Sequence, residues 1–292
     1  MIITSCGNSV KIAKKIATQL KCKYNPLKIS CFPDGDMYMK YSDKVKGQEV
    51  VIVHSFQPNS DLSMFRLIWA AAGAKQQGAK KVILVAPYLA YMRQDKMFNP
   101  GEVVSARVMA KLVNTYFDKL ITIDPHLHRI RKMKEVFKNG TNLTANSVIG
   151  DYVKKKIKNA AIIGPDWESY QWAEAIAKIV GCEVSVFRKT RFSGRHVESE
   201  MIKKIDMKGK NVVIVDDIIS TGHTIIEASK KAKHLGAKSV TAIGVHGLFV
   251  EGAVGKLKKA GIKNVLSTNC IEHPTNAIDV TSLLVKELRK RR

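Results

Sequence analysis

The segment at residues 212–224, VVIVDDIISTGHT, contains the residue types of a phosphate-binding site in the order that such a site needs. An apolar run that predicts a strand ends in two adjacent carboxylates, Asp216 and Asp217, which would face ribose hydroxyls or a magnesium ion. A turn of small and polar residues then opens a predicted helix. Its backbone amides, its hydroxyl groups and the positive end of the helix dipole would together bind a phosphate. The turn consists of Ser220, Thr221, Gly222, His223 and Thr224.

Five other segments carry residues suited to binding phosphates or metal ions. They are residues 32–36, 87–95, 124–126, 164–166 and 187–191. Arg93 and Gln94 offer a rigid guanidinium group and an amide to a nucleotide. Lys189 and Arg191 would lie on one side of an extended chain, where two cations suit a diphosphoryl group. Taken singly, each segment has a plainer interpretation, such as a Pro-Asp-Gly turn, a salt-bridged loop, a structural histidine or a basic surface strand.

Short β-branched apolar runs alternate along the chain with segments of helical spacing. The predicted strands are 50–53, 82–85, 120–123, 160–163, 212–215 and 240–245, and the clearest predicted helices are 61–77, 102–117 and 222–235. This alternation predicts an α/β fold with mostly parallel sheets flanked by helices. Ligands bind beyond the carboxyl ends of the strands in such sheets, which is where most of the polar segments fall.

The alternating pattern occurs twice, on either side of a polar break at residues 138–146 that is rich in Asn, Thr and Gly. We therefore predict two similar domains, residues 1–145 and 146–279. A last helix, at 280–292, would follow them and could pack back on the first domain.

The composition is typical of a globular protein: 292 residues with 45% hydrophobic content can form two cores of ordinary size. No run of 18 apolar residues occurs and the first residues lack the features of a secretory signal, so we expect a cytoplasmic protein with no membrane partner. The cysteines are scattered and lack the spacing of a zinc or redox site. They are Cys6, Cys22, Cys31, Cys182 and Cys270.

The net charge of +24 favours anionic partners of several kinds. The lysines form short groups on predicted helix faces, and a mostly arginine run occupies 289–292, without interleaved aromatic residues or a nucleic-acid-binding module. We therefore expect solvated helix faces and no nucleic-acid partner. An RNA-binding protein remains an alternative, and its affinity would fall steeply with salt.

Several of these segments resemble one enzyme family. Residues 212–224 resemble the phosphoribosyl-diphosphate-binding loop of phosphoribosyltransferases and ribose-phosphate pyrophosphokinases, with Ser220 where many members have Asp and His223 where Gly is usual. Residues 32–36 are similar to the FPDGE segment of the pyrophosphokinases, with Asp36 replacing Glu, and residues 87–95 match their PY-x-x-Y-x-RQD string. The resemblance covers residues 1–285 in the family's order. The chain is therefore identified as a member of the ribose-phosphate pyrophosphokinase family.

The resemblance implies a role for each of the candidate residues. It implies two phosphoribosyltransferase-like domains, and it places Mg²⁺ near His126 and Asp166, although Trp167 stands where the family has a small residue. It implies that Lys189 and Arg191 are catalytic and that Arg191 also binds ribose 5-phosphate, together with Asp216, Asp217, Ser220, Thr221, Gly222, His223 and Thr224. It assigns ATP binding to Asp34, Gly35, Asp36, Arg93 and Gln94.

The implied reaction moves the β,γ-diphosphoryl group of ATP to the C1 hydroxyl of ribose 5-phosphate. Because the family's 32–36 segment reaches the nucleotide of another subunit, a homo-oligomer, at least a dimer, is expected. Two other classes of protein would share some of these sequence features. A phosphoribosyltransferase would share the loop at 212–224 but not the segments before residue 130. A catalytically silent paralogue is disfavoured by the presence of Lys189 and Arg191.

Overall fold

The computed structural model describes residues 1–127, 132–191, 197–201 and 205–290, and for 188–191 and 197–201 it describes the backbone alone. The chain forms two compact units. Unit 1 comprises Met1–Leu143, Cys270–Glu272 and Val280–Arg292, and unit 2 comprises Thr144–Asn269 and His273–Asp279. Separate folding of residues 1–145 and 146–279 as domains stays a prediction. Within the described ranges, no helix combines the length and the apolar content that crossing a membrane requires.

Unit 1 is built on a six-stranded sheet in the order β2-β1-β5-β6-β7-β8, and all of its strand pairs are parallel. A separate antiparallel hairpin, β3–β4, lies outside this sheet. The elements are β1 Ile2–Thr4, α1 Val10–Leu20, β2 Lys23–Tyr24, β3 Leu27–Cys31, β4 Met37–Tyr41, β5 Glu49–Val53, α2 Ser60–Gln76, β6 Lys81–Ala86, α3 Ser105–Tyr116, β7 Lys119–Ile123, a 3₁₀ turn Met133–Glu135 and β8 Gly140–Leu143.

Unit 2 is built on a seven-stranded sheet in the order β11-β10-β9-β12-β13-β14-β15, in which only the β10–β11 pair is antiparallel. The elements are α4 Asn146–Lys156, β9 Ala160–Gly164, α5 Tyr170–Val180, β10 Val184–Arg191, β11 Val197–Met201, β12 Asn211–Ile219, α6 His223–His234, β13 Ser239–Gly247, a 3₁₀ turn Val250–Gly252, α7 Ala253–Lys259, β14 Asn264–Thr268 and β15 Asn276–Ile278.

The predicted fold class is confirmed, since both units are mostly parallel sheets with helices. The β-branched runs form the strands because their side chains are buried: Val50, Val51, Ile52 and Val53 are all fully inaccessible to solvent. Short edge strands such as β2 and β15 were missed by the sequence analysis. They have two and three residues, too few to show a periodic pattern.

The last helix, α8 Thr281–Arg289, belongs to unit 1 and packs against α1. Its Glu287 Oε1 lies 2.9 Å from the Nζ atom of Lys119, the first residue of β7, and both side chains are about 90% buried, being 10% and 7% exposed. The Arg289 guanidinium donates a hydrogen bond to the Gln19 carbonyl at 2.9 Å. A buried ion pair therefore ties the end of the chain to the sheet of unit 1.

Candidate active site

Three aspartates meet at the carboxyl edge of the sheet in unit 2. Asp166 follows β9, whereas Asp216 and Asp217 lie in the neighbouring strand β12. Burial, together with the negative charges of Asp217 and Asp166, raises the pKa of Asp216 well above its usual range. We call these three residues the acid cluster. Because like charges this close disfavour ionisation, the cluster is suited to a cation or to donors such as sugar hydroxyls.

Strand β12 is longer than predicted, so Asp216 and Asp217 lie within its last residues and not in the turn after it. The apolar run ends at Val215, but β12 continues to Ile219 because β13 is equally long and pairs with it as far as Ile219 opposite Gly247. Asp217 is consequently only 4% exposed. The carboxylates are thus held by paired backbone, and the turn that follows begins at Ser220.

The turn after β12, residues 220–224, is the segment for which the sequence predicts a phosphate cradle, and we keep that name for it. Gly222 precedes the first residue of α6, with a φ of 79°, a left-handed conformation that glycine adopts without strain. An added Cβ there would lie 3.1 Å from the Leu257 side chain. His223 begins the helix and is exposed, so its side chain causes no steric conflict at a position where the family usually has glycine. The first amides of α6 have no partner within the helix and are available to an anion.

The segment after β13 supports the cradle, and the sequence analysis missed it. The backbone amides of Leu248 and Phe249 both donate to the Ile219 carbonyl, at 3.0 and 3.1 Å. Phe249 has a φ of 45°, and its ring occupies the space that a Cβ on Gly247 would need. The end of β12 is therefore fixed immediately before the cradle. In the sequence, the spacing of Gly247 two residues before Phe249 is the signal that could have indicated this support.

Replacing Gly222 by alanine tests the cradle geometry. The left-handed φ and the Leu257 side chain would both resist a Cβ, so we expect ribose 5-phosphate to bind about tenfold more weakly and the unfolding free energy to fall by about 1–2 kcal/mol. Isothermal calorimetry measures the first effect. Gly255→Ala is the control, because Gly255 lies in α7 with no atom within 4 Å of an added Cβ. Unchanged affinity in Gly222→Ala would contradict the cradle assignment.

In unit 1, the segment at 87–95 follows β6 and forms a loop that presents Arg93 to solvent. The loop is organised by Glu102, whose Oε2 atom accepts hydrogen bonds from the Gln94 side chain at 3.2 Å and from the Phe98 amide at 2.8 Å. Its Oε1 accepts another from the Asn99 side chain at 2.6 Å. Hydrogen bonds from Asn99 and Phe98 are the main reason that the pKa of Glu102 is lowered.

The helix predicted from residue 102 begins later, at Ser105, because Glu102 belongs to the loop, where its backbone amide donates to the Asn99 carbonyl at 3.3 Å. The loop is further anchored by Tyr91, which has a φ of 65° and whose hydroxyl donates to Asp61. The Gln94 amide nitrogen is engaged by Glu102, whereas Arg93 extends from the loop with no ion pair among the described residues. Arg93 is thus free to bind an anion.

The segment at 32–36 forms the tip of the β3–β4 hairpin. The Phe32 amide donates to the Asp36 carbonyl at 2.8 Å, and the Asp36 amide donates to Asp34 Oδ1 at 3.2 Å. Gly35 has a φ of 96°, which the turn requires. All of the tip is exposed, including the Phe32 ring at 54%. This hairpin therefore presents an aromatic ring and two carboxylates to solvent.

The polar segment after β7 has an unusual backbone. Asp124 and His126 have φ values of 38° and 52°, and the His126 amide donates to the Asp124 carbonyl at 2.9 Å. Left-handed conformations at two nearby non-glycine residues cost free energy and often occur at functional sites. The neighbouring His128 lies outside the described residues.

Lys189 and Arg191 occupy the last positions of β10, opposite Ser199 and Val197 of β11. Residues 192–196, which connect the two strands, lie outside the described part of the chain. The predicted site residues therefore fall into two groups. Unit 1 contains 34–36, 93, 94 and 126, and unit 2 contains 166, 189, 191, 216, 217 and 220–224.

Two α/β units, the second with an acid cluster and a glycine-containing turn at the ends of its strands, define a protein of the phosphoribosyltransferase-like class. Residues 130–283 match the phosphoribosyl transferase domain model, and residues 1–116 match the model for the N-terminal domain of ribose phosphate pyrophosphokinase. The chain belongs to the ribose-phosphate pyrophosphokinase family, as predicted, and it is an enzyme of that type.

Relatives of known name cover almost the whole chain. The ribose-phosphate pyrophosphokinase 2 of Archaeoglobus fulgidus is 35% identical over 99% of this chain and 100% of its own. The ribose-phosphate pyrophosphokinase of Methanopyrus kandleri is 33% identical over 96% of each chain. The crystal structure of phosphoribosylpyrophosphate synthetase from Mycobacterium smegmatis superposes with a TM-score of 0.85 at 24% identity, covering 99% and 98% of the two chains, which shows a shared fold.

Proposed function

We propose that the enzyme transfers the β,γ-diphosphoryl group of ATP to the C1 hydroxyl of ribose 5-phosphate, forming phosphoribosyl diphosphate and AMP. The observation that carries the proposal is the acid cluster beside the phosphate cradle in unit 2. Unit 1 adds the two segments that resemble the family's ATP-binding segments, residues 32–36 and 87–95. The 5-phosphate binds to the cradle amides and hydroxyls, and Asp216 and Asp217 orient the ribose hydroxyls.

ATP is bound by residues of unit 1. The exposed guanidinium of Arg93 binds its phosphates, with Gln94 beside it in a loop that Glu102 keeps ordered. The hairpin tip at 34–36 contributes polar contacts through Asp34, Gly35 and Asp36. Because this tip is exposed on a hairpin outside the main sheet, we propose that it serves the nucleotide of a second copy, so that the enzyme is at least a dimer. Sedimentation as a monomer at assay concentrations would contradict this.

Magnesium fits the residues present. Among the residues that the structure describes, no three His, Cys, Asp or Glu side chains form a ready metal site. Mg²⁺ does not require one, since it commonly keeps several waters and binds one or two carboxylates together with substrate phosphates. Asp166 would supply such a carboxylate, and a cation would relieve the repulsion within the acid cluster. His126 would contact the magnesium ion indirectly, through a substrate phosphate or a bound water molecule. When bound, magnesium would neutralise charge on the transferred phosphates.

The chemistry requires positioning and charge neutralisation but no covalent nucleophile. The C1 oxygen attacks the β-phosphorus in line with the oxygen that bridges the α- and β-phosphates. The bond to that bridging oxygen breaks, AMP leaves with it, and the hydroxyl proton passes to solvent. Lys189 and Arg191, at the end of β10, stabilise the charge of the migrating diphosphoryl group.

The test is product analysis with the purified protein. ATP, ribose 5-phosphate and Mg²⁺ should give AMP and phosphoribosyl diphosphate in equal amounts, and chelation of the metal should abolish both, as chromatography of the nucleotides would show. Formation of ADP would contradict the proposal, because it would mean transfer of one phosphoryl group. Absence of product from folded protein would favour the silent paralogue. The substrates are metabolites of the cytoplasm, where we propose that the enzyme works; cell fractionation tests that location.

A further inference from the structure

An exposed tryptophan stands next to the acid cluster. Trp167 directly follows Asp166 at the carboxyl end of β9, and 59% of it is accessible to solvent. Isolated exposed apolar residues are common on protein surfaces and need no explanation by themselves. Trp167 differs because its backbone and its ring are both held in place.

The backbone around Trp167 is a rigid turn. The Ser169 amide donates to Asp166 Oδ1 at 3.1 Å, and the Ser169 hydroxyl donates to the Asp166 carbonyl at 2.6 Å. The Tyr170 amide donates to the Trp167 carbonyl at 3.2 Å. An added Cβ on Gly164 would lie 2.7 Å from the Ser169 hydroxyl, so the turn packs closely on the strand before it. The position of Trp167 relative to Asp166 is therefore set by the fold.

The indole ring is fixed by stacking. Its plane lies within 3° of that of the Tyr170 ring, and the ring centroids are 5.6 Å apart. The Tyr170 hydroxyl donates to Glu174 Oε1 at 3.1 Å, one turn further along α5, and this bond restrains the Tyr170 ring. The Tyr170 ring is parallel to the indole but displaced from it, so it supports one side of the indole while 59% of Trp167 stays accessible to solvent. A preorganised ring loses little conformational entropy when a ligand covers it.

We propose that the open face of Trp167 binds the apolar face of the ribose ring of the acceptor and so sets the affinity for the sugar phosphate. This inference rests on the proposed function. A pentose presents hydroxyls at its rim, suited to carboxylates, and C–H groups on its faces, suited to an aromatic ring. Strand β9 pairs with β12 as far as Ile163 opposite Ile214, so Asp166 and Trp167 follow β9 at the same edge of the sheet as Asp216 and Asp217, the acids proposed to orient the sugar hydroxyls.

The acceptor sugar is favoured over the adenine ring as the group that stacks here. The acid cluster, the phosphate cradle and Trp167 all belong to unit 2, where only the diphosphoryl end of ATP is proposed to react, whereas the segments assigned to the rest of ATP belong to unit 1, where the Phe32 ring is exposed. The proposal therefore makes Trp167 a determinant of affinity for ribose 5-phosphate and leaves ATP affinity unaffected.

Trp167→Ala should raise the Kd and the KM for ribose 5-phosphate about five- to tenfold, with the KM for ATP unchanged. Trp167→Phe should recover most of the affinity because it keeps an aromatic face. Calorimetric titration with ribose 5-phosphate gives the Kd without turnover. Trp69→Ala is the matched control, since Trp69 is also exposed and touches one ring, that of Phe65, on α2 of unit 1.

Three results would overturn the inference: an unchanged Kd in Trp167→Ala, a loss confined to ATP, which would assign the ring to adenine, or equal weakening in Trp167→Phe. Thermal melting confirms that the variants are folded. Failure of the proposed function is distinguishable, because it would appear as absence of AMP and phosphoribosyl diphosphate from the wild type, whereas the sugar phosphate titration would still report on Trp167.

Discussion

Lys189→Ala is expected to lower kcat about 10²–10³-fold while changing the KM for either substrate only a few-fold. An ammonium group aimed at the migrating diphosphoryl group acts mainly on the transition state, so its loss should appear in kcat and in kcat/KM equally. The position of Lys189 at the end of β10, two residues before Arg191, supports this role. The measurement is the rate of AMP formation at saturating ATP and ribose 5-phosphate.

Arg188→Ala is the matched control for this prediction. Arg188 is a cation on the same strand, opposite Glu200 of β11, but successive strand residues alternate between the two faces of a sheet. It should therefore retain kcat within a few-fold. An equal loss in both variants would indicate a general effect of charge or folding. A Lys189→Ala enzyme with wild-type kcat would show that the proposed catalytic assignment is wrong.

Glu287→Ala is expected to lower the free energy of unfolding by about 3–5 kcal/mol, because it would leave the ammonium group of Lys119 buried without its partner. The two side chains are 2.9 Å apart and about 90% buried. Glu287 also lies 3.2 Å from Lys290, but that lysine is exposed and its contact adds little. Urea denaturation followed by circular dichroism measures the change.

Two variants make this prediction specific. The double replacement Lys119→Met with Glu287→Leu removes both charges and should recover most of the lost stability, since a buried ion pair is often no more stabilising than an apolar pair. Glu227→Ala breaks the exposed pair with Lys230 and should cost no more than about 1 kcal/mol. Equal losses in Glu287→Ala and Glu227→Ala would contradict the role given to burial.

The same ion pair predicts a pH dependence. Burial by itself would raise the pKa of Glu287, but hydrogen bonds from Lys119 and Lys290 outweigh it and lower that pKa in the folded protein. The stabilisation is therefore complete above the pKa of glutamate in the unfolded chain, about 4.3, and is lost as the pH falls through the lower folded-state value. The stability difference between wild type and Glu287→Ala should shrink in that acidic range.

Local sequence patterns were sufficient for the strands of the sheet interiors and for the residues at their ends. The runs at 50–53 and 82–85 are buried on both faces and so must be apolar throughout, which makes them visible without any knowledge of their neighbours. The turn at 220–224 was visible because its glycine, its hydroxyls and the helix that follows are adjacent in the chain. The segments that carry the family resemblance are local in the same way.

The sequence by itself thus determined the α/β class, the order of the main elements, the family and the candidate residues. The tertiary structure alone decided which distant residues meet. The length of β12 depends on its pairing with β13, and the support of the cradle depends on Phe249 fitting against Gly247. The pairing of Lys119 with Glu287 joins positions 168 residues apart. Such contacts follow from how sheets and helices pack in three dimensions, and no periodicity within a short segment encodes them.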